Sequence, residues 1–544
     1  MKEKTITRNE MVLTSVLILP FLGVLSFEWL WNINLFLVFL SIWHFKDNNK
    51  IFIISGIMAG IVSAFSLFLK FNTAALSLGL SFVVFLLFLI FCRKKSVKYI
   101  SLFASSYILT TLLGILAFFK EFSYFLKWLK ISLEIASSYN TAMALYISVY
   151  VPFLIVAFIL VIVYIAFMIK EFKNDSRDNY ILFLICSVLV FFSFKHSFVR
   201  QDGHMLIFYT TFPILSALLY IFAGDKFRIA HKQSLKICAV ICCACMMVIG
   251  KWYAPFYNFT NNVKGLFEIK QKIKNFERNK TVSLRENVLN EEWNAEIGNS
   301  SIQILPFDLS YAAANNWTSW QPNPVLQLYS AYSKTLDQTS ADSFINKKAP
   351  SFILLEYETI DERNMFFDTP ATWNAILSNY SICKDDGERL LLKKNNSRKR
   401  IEFTKMQTDV YKFGDTIKIP ETNGLIFAKI KINTSFLGKI ITMLFRGCPS
   451  DITVKYQNGE NKTFRIIDDT LQMPFLINYL PDDIEQTAAL FYALSLGNEE
   501  DLSFSVKEFT FKNKFRAVYC KNNIEIEWFK ANLTADTQER ENIL

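Results

Sequence analysis

The stretch that decides the fold covers residues 181–223. It reads ILFLICSVLVFFSF over 181–194, KHSFVRQDGH over 195–204 and MLIFYTTFPILSALLYIFA over 205–223. The two outer parts are apolar runs close to the length of about 20 residues that crosses a hydrocarbon core. The ten residues between them, here called the decad, carry ionisable groups of both signs and two of the chain's 4 histidines. This alternation predicts two membrane-spanning helices with a polar segment between them.

The decad is the leading candidate for a functional site. An ionisable side chain left in lipid costs on the order of 3 kcal/mol, so such groups usually line a polar cavity or a substrate path. Lys195 and Arg200 are suited to binding a phosphate, the first as a point charge and the second in bidentate fashion. Asp202 would accept a proton from an attacking hydroxyl, and His196 or His204 would act as acid or base near neutral pH.

Two other interpretations of the decad stay open. Its charges could form purely structural salt bridges at a helix boundary. His196, Asp202 and His204 carry metal-ligating side chains, but their spacing matches no standard ligand set. We therefore predict no metal site and no cofactor, with a divalent metal ion as the less favoured alternative.

The chain as a whole has two unlike halves. Of its 544 residues 52% are hydrophobic, yet apolar runs of spanning length recur only up to about residue 250. We predict an α-helical polytopic membrane bundle of about nine spans over residues 1–250. The first span lacks a small-residue cleavage site, so it is expected to remain uncleaved. The predicted spans cover residues 11–27, 30–45, 51–69, 74–92, 99–119, 145–169, 181–194, 205–223 and 237–250.

The distribution of lysine and arginine predicts the orientation, because cytoplasmic loops carry the excess of these residues. With the N-terminus inside, every alternate loop agrees, and both the decad and the region after residue 251 lie outside the cytoplasm. The inward loops contain Lys2, Lys4, Arg8, Lys46, Lys50, Arg93, Lys94, Lys95, Lys98, Lys170, Lys173, Arg177, Lys226, Arg228, Lys232 and Lys236. The outward loops contain Lys70, Lys120, Lys127, Lys130, Lys195 and Arg200.

The net charge of +10 is explained without a nucleic acid, because many of these cations lie in inward loops that face anionic lipid. Most cysteines lie in predicted spans, and Cys242 and Cys245 there are best explained by small-residue packing. Cys383, Cys448 and Cys520 lie in the exported region. Their odd number and wide spacing imply no disulfide framework, although one bridge is possible. Gly56 and Gly60 form a G-x-x-x-G that favours close helix packing inside the bundle.

The region after the spans divides into three predicted parts. Residues 251–280 form a juxtamembrane helix or linker, with a lysine-rich helix over 264–276. Residues 281–400 alternate strands (301–307, 351–356, 389–392) with helices (309–315, 371–378), which predicts an exported α/β domain. From 401 the helical pattern fades. Strands over 426–432, 452–456, 463–467 and 502–511, with Asn-Gly turns, predict an exported β-sandwich over 401–535.

The outward loop over residues 120–141 is too long for a simple turn. Its apolar residues, such as Phe122, Phe125 and Leu129, recur at helical spacing and predict an amphipathic helix on the outer membrane surface. It ends in a small, polar stretch that contains Glu134 and Tyr139. Two interpretations remain: a helix that rests among the headgroups, or one wall of an outward-facing cavity shared with the decad.

An aromatic and amide-rich segment marks the exported region. Aromatic faces pack against the C–H surfaces of sugars and amides bind their hydroxyls, so this mixture favours sugar binding. The equally favoured alternative is that the aromatic residues dock the exported domain on the membrane bundle. The candidate residues are Trp317, Trp320, Gln321, Tyr329 and Tyr332.

The common soluble-enzyme signatures, including the Walker loop and the G-x-S-x-G elbow, are absent from the sequence. The informative features of the sequence are the outward decad, the aromatic segment over 321–332 and a C-terminal exported region that combines an α/β domain with a β-sandwich. In these features the chain resembles bacterial polytopic GT-C membrane glycosyltransferases with a C-terminal periplasmic domain. The resemblance implies a multi-pass protein of the bacterial cytoplasmic (inner) membrane, with a cytoplasmic N-terminus and a periplasmic or extracytoplasmic C-terminal domain.

That resemblance also implies a reaction. Nucleotide sugars are not available outside the cytoplasmic membrane, so the donor would be a polyprenyl-phosphate-linked sugar used in cell-envelope glycan assembly. Transfer then needs a base for the acceptor hydroxyl, expected at Asp202 or Glu134, and positive charge on the departing phosphate from Arg200 and Lys195. The expected partners are membrane lipid, the lipid-linked sugar and a glycan acceptor, with no nucleic acid.

Two non-enzymatic interpretations compete with the transferase. The first is an envelope-polymer assembly or export component whose exported domain binds glycan. The second is a transporter, which is disfavoured because the sequence shows no inverted repeat and no paired Gly/Pro-broken helices.

Overall fold

The computed structural model describes residues 29–44, 48–91, 93–174, 177–223, 225–250, 260–261, 264–265, 267–276, 284–397, 399–496 and 502–535. These residues form two compact units. The first comprises Met1–Ser132 and Leu145–Lys272, and the second comprises Leu133–Ala144 and Ile273–Leu544. The predicted span over 11–27 lies outside the described residues.

The first unit is helical. Its apolar runs extend into helices because neither charged residues nor helix-breaking turns interrupt them over about 20 residues. The helices are α1 (Trp29–Trp43), α2 (Asn49–Leu69), α3 (Phe71–Phe91), α4 (Arg93–Phe118), α5 (Phe122–Ala142, of which the last ten residues belong to the second unit), α6 (Val151–Lys173), α7 (Arg177–Val199), α8 (Leu206–Phe222) and α9 (Asp225–Ile249).

Among the described residues, seven helices are long and apolar enough to cross a membrane. They correspond to the third, fourth, fifth, sixth, seventh, eighth and ninth predicted spans. The second predicted span appears as the shorter apolar helix Leu30–Ile42. The chain is therefore a multi-pass membrane protein by the length and composition of its helices, while the number nine remains a prediction.

Close packing of α2 and α4 confirms the meaning given to the G-x-x-x-G. A Cβ on Gly60 would lie 2.5 Å from the carbonyl oxygen of Phe103 and would also overlap the hydroxyl of Ser106. Glycine is required here because the two backbones approach each other too closely for a side chain. Helix α2 starts at Asn48, whose side chain accepts hydrogen bonds from the backbone N–H groups of Lys50 and Ile51 at 3.1 and 3.2 Å.

The second unit is rich in strands arranged in three open four-stranded sheets. The first sheet has the order β1-β2-β4-β3 and contains one parallel pair, β1 with β2. Its strands are β1 (Ile302–Leu305), β2 (Phe352–Glu356), β3 (Tyr380–Asp385) and β4 (Arg389–Lys394). Helix α10 (Ile269–Lys274) contains the last residues of the first unit, and its final two residues belong to the second. The helices that alternate with the strands of this sheet are α11 (Glu291–Ile297), α12 (Ser310–Ala314), α13 (Lys334–Ile345), α14 (Met365–Asp368) and α15 (Pro370–Asn379). The three predicted strands and two predicted helices are present, although α11, α13, α14 and β3 were missed.

The other two sheets have the orders β10-β7-β12-β5 and β6-β11-β8-β9. Their strands are β5 (Lys399–Tyr411), β6 (Ile417–Lys418), β7 (Leu425–Thr434), β8 (Ser450–Tyr456), β9 (Asn461–Ile466), β10 (Phe475–Leu476), β11 (Val506–Lys512) and β12 (Cys520–Ala535). Three helices interrupt them, namely α16 (Phe436–Leu444), α17 (Ile484–Leu496) and α18 (Arg516–Tyr519). The region after 401 is rich in strands, as predicted, but the fading helical pattern did not predict these three short helices between strands.

One buried hydrophobic cluster joins side chains from both of these sheets and from the first. It contains Leu355 of β2, Phe427 of β7, Phe509 of β11 and Trp528 of β12. The rings of Phe509 and Trp528, which come from different sheets, lie 6.1 Å apart. Burial of these aromatic side chains holds the sheets of the second unit together. Their arrangement as a sandwich, and the separation of 281–400 from 401–535 as domains, stay predictions.

Candidate functional site

The decad is not wholly a loop. Helix α7 continues to Val199, so the first half of the decad, including Lys195 and His196, is helical. Residues 200–202 then leave the helix, and Gly203–Met205 form a 3₁₀ turn that leads into α8. The predicted loop boundary at 195 was wrong because a helix can continue through polar residues when one face remains apolar. Phe198 and Val199 supply that face and are buried.

Asp202 is the centre of a three-residue polar cluster. One carboxylate oxygen accepts a hydrogen bond from Nε of Arg200 at 2.9 Å. The other lies 2.6 Å from Nδ1 of His204 and accepts the backbone N–H of His204 at 2.9 Å. Asp202 thereby also caps the 3₁₀ turn. The structure thus brings together three of the predicted site residues: Arg200, Asp202 and His204.

The electrostatics of this cluster change the role expected of Asp202. Partial burial favours the neutral acid, but the bonds from His204 and Arg200 outweigh it and hold the pKa of Asp202 below its usual range. A carboxylate with a lowered pKa, with both oxygens already engaged, is a weak general base. It is better suited to orienting an imidazole, since the bond to Nδ1 leaves Nε2 as the nitrogen that exchanges protons. The His204 side chain is 42% exposed, compared with 12% for that of Arg200.

Backbone hydrogen bonds fix the decad to the segment before α6. The N–H of Leu145 donates to the carbonyl of Val199 at 2.9 Å, and the N–H of Gln201 donates to the carbonyl of Leu145 at 3.2 Å. The side-chain oxygen of Gln201 accepts the N–H of Ile147 at 3.2 Å. Gln201 is fully buried. These bonds hold the backbone at Arg200 in place, which limits the conformations available to the cluster.

The remaining predicted residues of the decad lie one to two turns earlier along α7. The imidazole of His196 packs edge-on against the indole of Trp31 in α1, with ring centroids 5.6 Å apart. Lys195 is half-buried on the same helix. His196 is therefore part of the packing between α1 and α7.

Glu134 and Tyr139 lie in the part of α5 that belongs to the second unit. Glu134 accepts a hydrogen bond from the hydroxyl of Ser333 at 2.7 Å. The rings of Tyr139 and Tyr332 are edge-on with centroids 6.2 Å apart. The amphipathic segment is thus a helix, as predicted, and its last turns are packed within the second unit. A cavity that combines these residues with the decad stays a prediction.

The aromatic segment is mainly engaged in packing. Trp317 and Trp320 pack against the buried cluster around Trp293 and Tyr311, and Nε1 of Trp317 donates to Asn294 at 3.2 Å. Of the other three candidates, Gln321 and Tyr329 form hydrogen bonds within the second unit, and Tyr332 is buried there. The side-chain amide of Gln321 donates to the carbonyl of Lys348 at 2.6 Å, the hydroxyl of Tyr329 donates to Gln327 at 2.8 Å, and Tyr332 is 3% exposed.

Sequence reasoning missed a buried charged cluster in the second unit. Nη2 of Arg363 donates to the carbonyl of Ala142 at 2.9 Å, and Nη2 of Arg465 donates to the same oxygen. Asp361 lies 3.1 Å from Arg465, and Asp368 lies 3.6 Å from Arg363. Burial, only partly opposed by the two arginines, raises the pKa of Asp368 to about 6. Ala142 is the last residue of α5, so two cations bind the negative end of a helix dipole.

A second missed cluster lies within the helices of the first unit. Glu171 of α6 accepts a hydrogen bond from the amide of Asn179 in α7 at 2.8 Å, and it lies 3.5 Å from Nε2 of His231 in α9. Glu171 and His231 are both buried. Ionisable groups inside spanning helices normally pair with one another, and this pairing ties three helices together. The sequence signal that could have revealed this cluster is the position of its polar residues next to three predicted spans, 145–169, 181–194 and 237–250.

Across the described ranges, no group of three or more His, Cys, Asp or Glu side chains is arranged to hold a metal ion. No protein-family model, curated protein or solved structure matches this chain.

Proposed function

We propose that this chain is a membrane glycosyltransferase that uses a polyprenyl-phosphate-linked sugar on the outer face of the bacterial cytoplasmic membrane. The observation that supports this proposal is the Arg200–Asp202–His204 cluster, held between two spanning helices. The lysine and arginine bias of the loops supports its outward position. The second unit would then be periplasmic or extracytoplasmic, and the products would enter cell-envelope glycan.

The geometry supports His204, rather than Asp202, as the proton acceptor. Asp202 holds Nδ1 of the imidazole at 2.6 Å, so Nε2 would take the proton from the acceptor hydroxyl as it attacks the anomeric carbon. Asp202 would then stabilise the imidazolium that forms. The bond between the sugar and its phosphate breaks, and the lipid phosphate leaves with the bonding electron pair. Arg200, with Lys195 on α7, would stabilise the charge that develops on that phosphate.

The test is complementation of a deletion strain, read out as the amount and sugar composition of its envelope polysaccharide. Replacing His204 by alanine removes the base, and Asp202→Asn removes the charge that orients and stabilises it. General acid–base catalysis contributes about 10²–10⁴-fold, so both variants should restore under about 1% of the wild-type transfer rate.

Glu121→Gln is the matched control, because this exposed carboxylate lies in the same unit and only accepts a hydrogen bond from Ser123 at 3.0 Å. It should restore full polysaccharide. Binding of undecaprenyl phosphate to the purified protein is measured in parallel by native mass spectrometry, and Arg200→Gln should weaken it. Wild-type polysaccharide in the His204→Ala strain, with the variant protein at normal abundance, would refute the transferase.

A cavity in the second unit supports a second candidate function, glycan binding without catalysis in an envelope-polymer assembly or export component. The cavity holds about 390 Å³ and lies between α13, α15 and β5. Its walls combine amides, an arginine and an aromatic ring, including Gln338, Asn374, Asn379, Arg400 and Phe403. Such a lining suits a sugar ring. Loss of polysaccharide binding in Phe403→Ala, together with unchanged polysaccharide in the His204→Ala strain, would favour this function.

A further inference from the structure

Two cysteines far apart in the sequence meet at one side-chain amide in the second unit. Cys448 lies between α16 and β8, and its Sγ lies 3.1 Å from Oδ1 of Asn513. Cys520 is the first residue of β12, and its Sγ lies 3.6 Å from Nδ2 of the same asparagine. The two thiols therefore lie at the two ends of a single amide group.

The backbone on both sides of the pair is fixed. The hydroxyl of Tyr519, the neighbour of Cys520, donates to the carbonyl of Arg446 at 3.1 Å. Cys520 itself pairs with Thr434 of β7 in the antiparallel sheet. Asn513 is also held independently of the thiols, since its Nδ2 donates to the hydroxyl of Ser450 at 3.2 Å. Joining the sulfurs therefore requires rotation of both cysteine side chains and displacement of the Asn513 amide that contacts both of them.

We propose that Cys448 and Cys520 are a disulfide site of the second unit and are joined when the protein folds outside the cytoplasm. The bond forms by exchange with a disulfide donor, either an exported thiol–disulfide oxidoreductase or a small-molecule disulfide. The thiolate of one cysteine attacks the donor and releases one donor thiol, and the second cysteine then attacks the mixed disulfide. Two protein thiols are oxidised, one donor disulfide is reduced to two thiols, and the protons of the cysteines pass to those thiols.

The chemistry of the site indicates when this happens. Burial raises the pKa of the Cys448 thiol, and it raises that of Cys520 to about 12. Thiols with raised pKa are poor nucleophiles, so exchange in the folded protein is slow. Oxidation is therefore expected during folding, before the site is covered. The function of the bond would be structural, since it closes a long loop across the sheets.

Oxidation in cells rests on the outward orientation in the proposed function, so the experiment has two arms. In the first, full-length protein is extracted from membranes with N-ethylmaleimide present, digested without reductant and analysed by mass spectrometry. In the second, protein extracted without N-ethylmaleimide is treated with dithiothreitol and incubated for hours at pH 8 with oxidised glutathione, and it is then alkylated with N-ethylmaleimide and digested in the same way. Linked peptides containing Cys448 and Cys520, lighter by two hydrogens than the separate pair, are expected in both arms.

Cys383 is the internal control, because its sulfur is not part of this site. It should be alkylated in the first arm and should be absent from linked peptides in both arms. Cys448→Ser should abolish the linked peptides and leave Cys520 alkylated, whereas Cys383→Ser should leave them unchanged. A link found only in the second arm supports the site and refutes the outward orientation. Alkylation of both Cys448 and Cys520 in both arms overturns the proposal, whatever the outcome of the polysaccharide test.

Discussion

Replacing Arg363 with methionine removes one of the two arginines that bind the carbonyl of Ala142, while preserving the length of the side chain. The Arg363 side chain is fully buried. It donates to the carbonyls of Ala142 at 2.9 Å and Tyr329 at 3.3 Å, and it lies 3.6 Å from Asp368. Ala142 retains Arg465 in the variant, so the groups that lose most are Tyr329 and Asp368.

The magnitude follows from those two losses. With its arginine gone, Asp368 would be protonated, and a carboxyl with a pKa of about 6 requires about 1.4 kcal/mol for this at pH 7. The carbonyl of Tyr329 loses a partly buried hydrogen bond, which costs about 1–3 kcal/mol. The sum, about 2–4 kcal/mol, overlaps the range of about 3–5 kcal/mol for breaking a buried ion pair. At about 2–4 °C per kcal/mol, Tm should fall by about 4–16 °C.

The assay is thermal unfolding of the full-length protein in detergent, followed by tryptophan fluorescence. Lys405→Met is the control, since Lys405 forms a surface ion pair with Glu527 that contributes about 0–1 kcal/mol. The loss from Arg363→Met should shrink by about 1.4 kcal/mol at pH 5, where Asp368 is already protonated. A Tm within 2 °C of the wild type would show that the arginine cluster does not stabilise the protein, as would equal losses at both pH values.

Three further predictions concern other parts of the molecule. Burial raises the pKa of Asp337 to about 7, so its contribution to stability is present at acid pH and is lost as pH rises through that value. Tm should therefore fall between pH 5 and pH 8, and Asp337→Asn should lessen the fall; an unchanged profile would contradict this. Gly60→Ala should cost about 1–3 kcal/mol, because its Cβ would overlap Phe103, while Gly79→Ala, where the space is open, should cost nothing. Equal Tm values for the two would argue against close packing of α2 and α4. Alkaline phosphatase fused after residue 250 should be active in cells, because this region is expected outside the cytoplasm. An inactive phosphatase fusion, together with a fluorescent protein that fluoresces when fused at the same position, would show that the orientation is reversed.

Most of the spanning helices could be predicted from the sequence because hydropathy is a local property. The predicted span 205–223 differs from α8 (Leu206–Phe222) by one residue at each end. The boundary of α7 was predicted less well, since the helix runs past Phe194 into the decad. Side-chain charge marks the end of an apolar run, but the end of a helix depends on backbone bonds such as that between Val199 and Leu145.

The strands of the second unit were harder to predict. Strand β5 pairs with β12 from end to end of β5, from Tyr411 with Ile524 to Lys399 with Ala535. Most side chains of β5 are exposed, so the strand carries little of the alternation that marks a half-buried strand. Its register is determined by a partner more than 100 residues away, and no local pattern contains that information.

For the polar residues too, local sequence predicts what lies close along the chain and fails where a distant partner decides. Arg200, Asp202 and His204 alternate along five residues, so their proximity could be predicted, although their pairing could not. Arg363 and Arg465 meet at the carbonyl of Ala142 and at Asp361. No sequence pattern singles out that carbonyl. A carboxylate in an apolar setting is a base, an anchor or a cap according to what it touches. The contacts of Asp202 to Arg200 and His204 indicate that this carboxylate is an anchor and a cap. The expected proton transfer therefore moves to the imidazole of His204, which Asp202 holds.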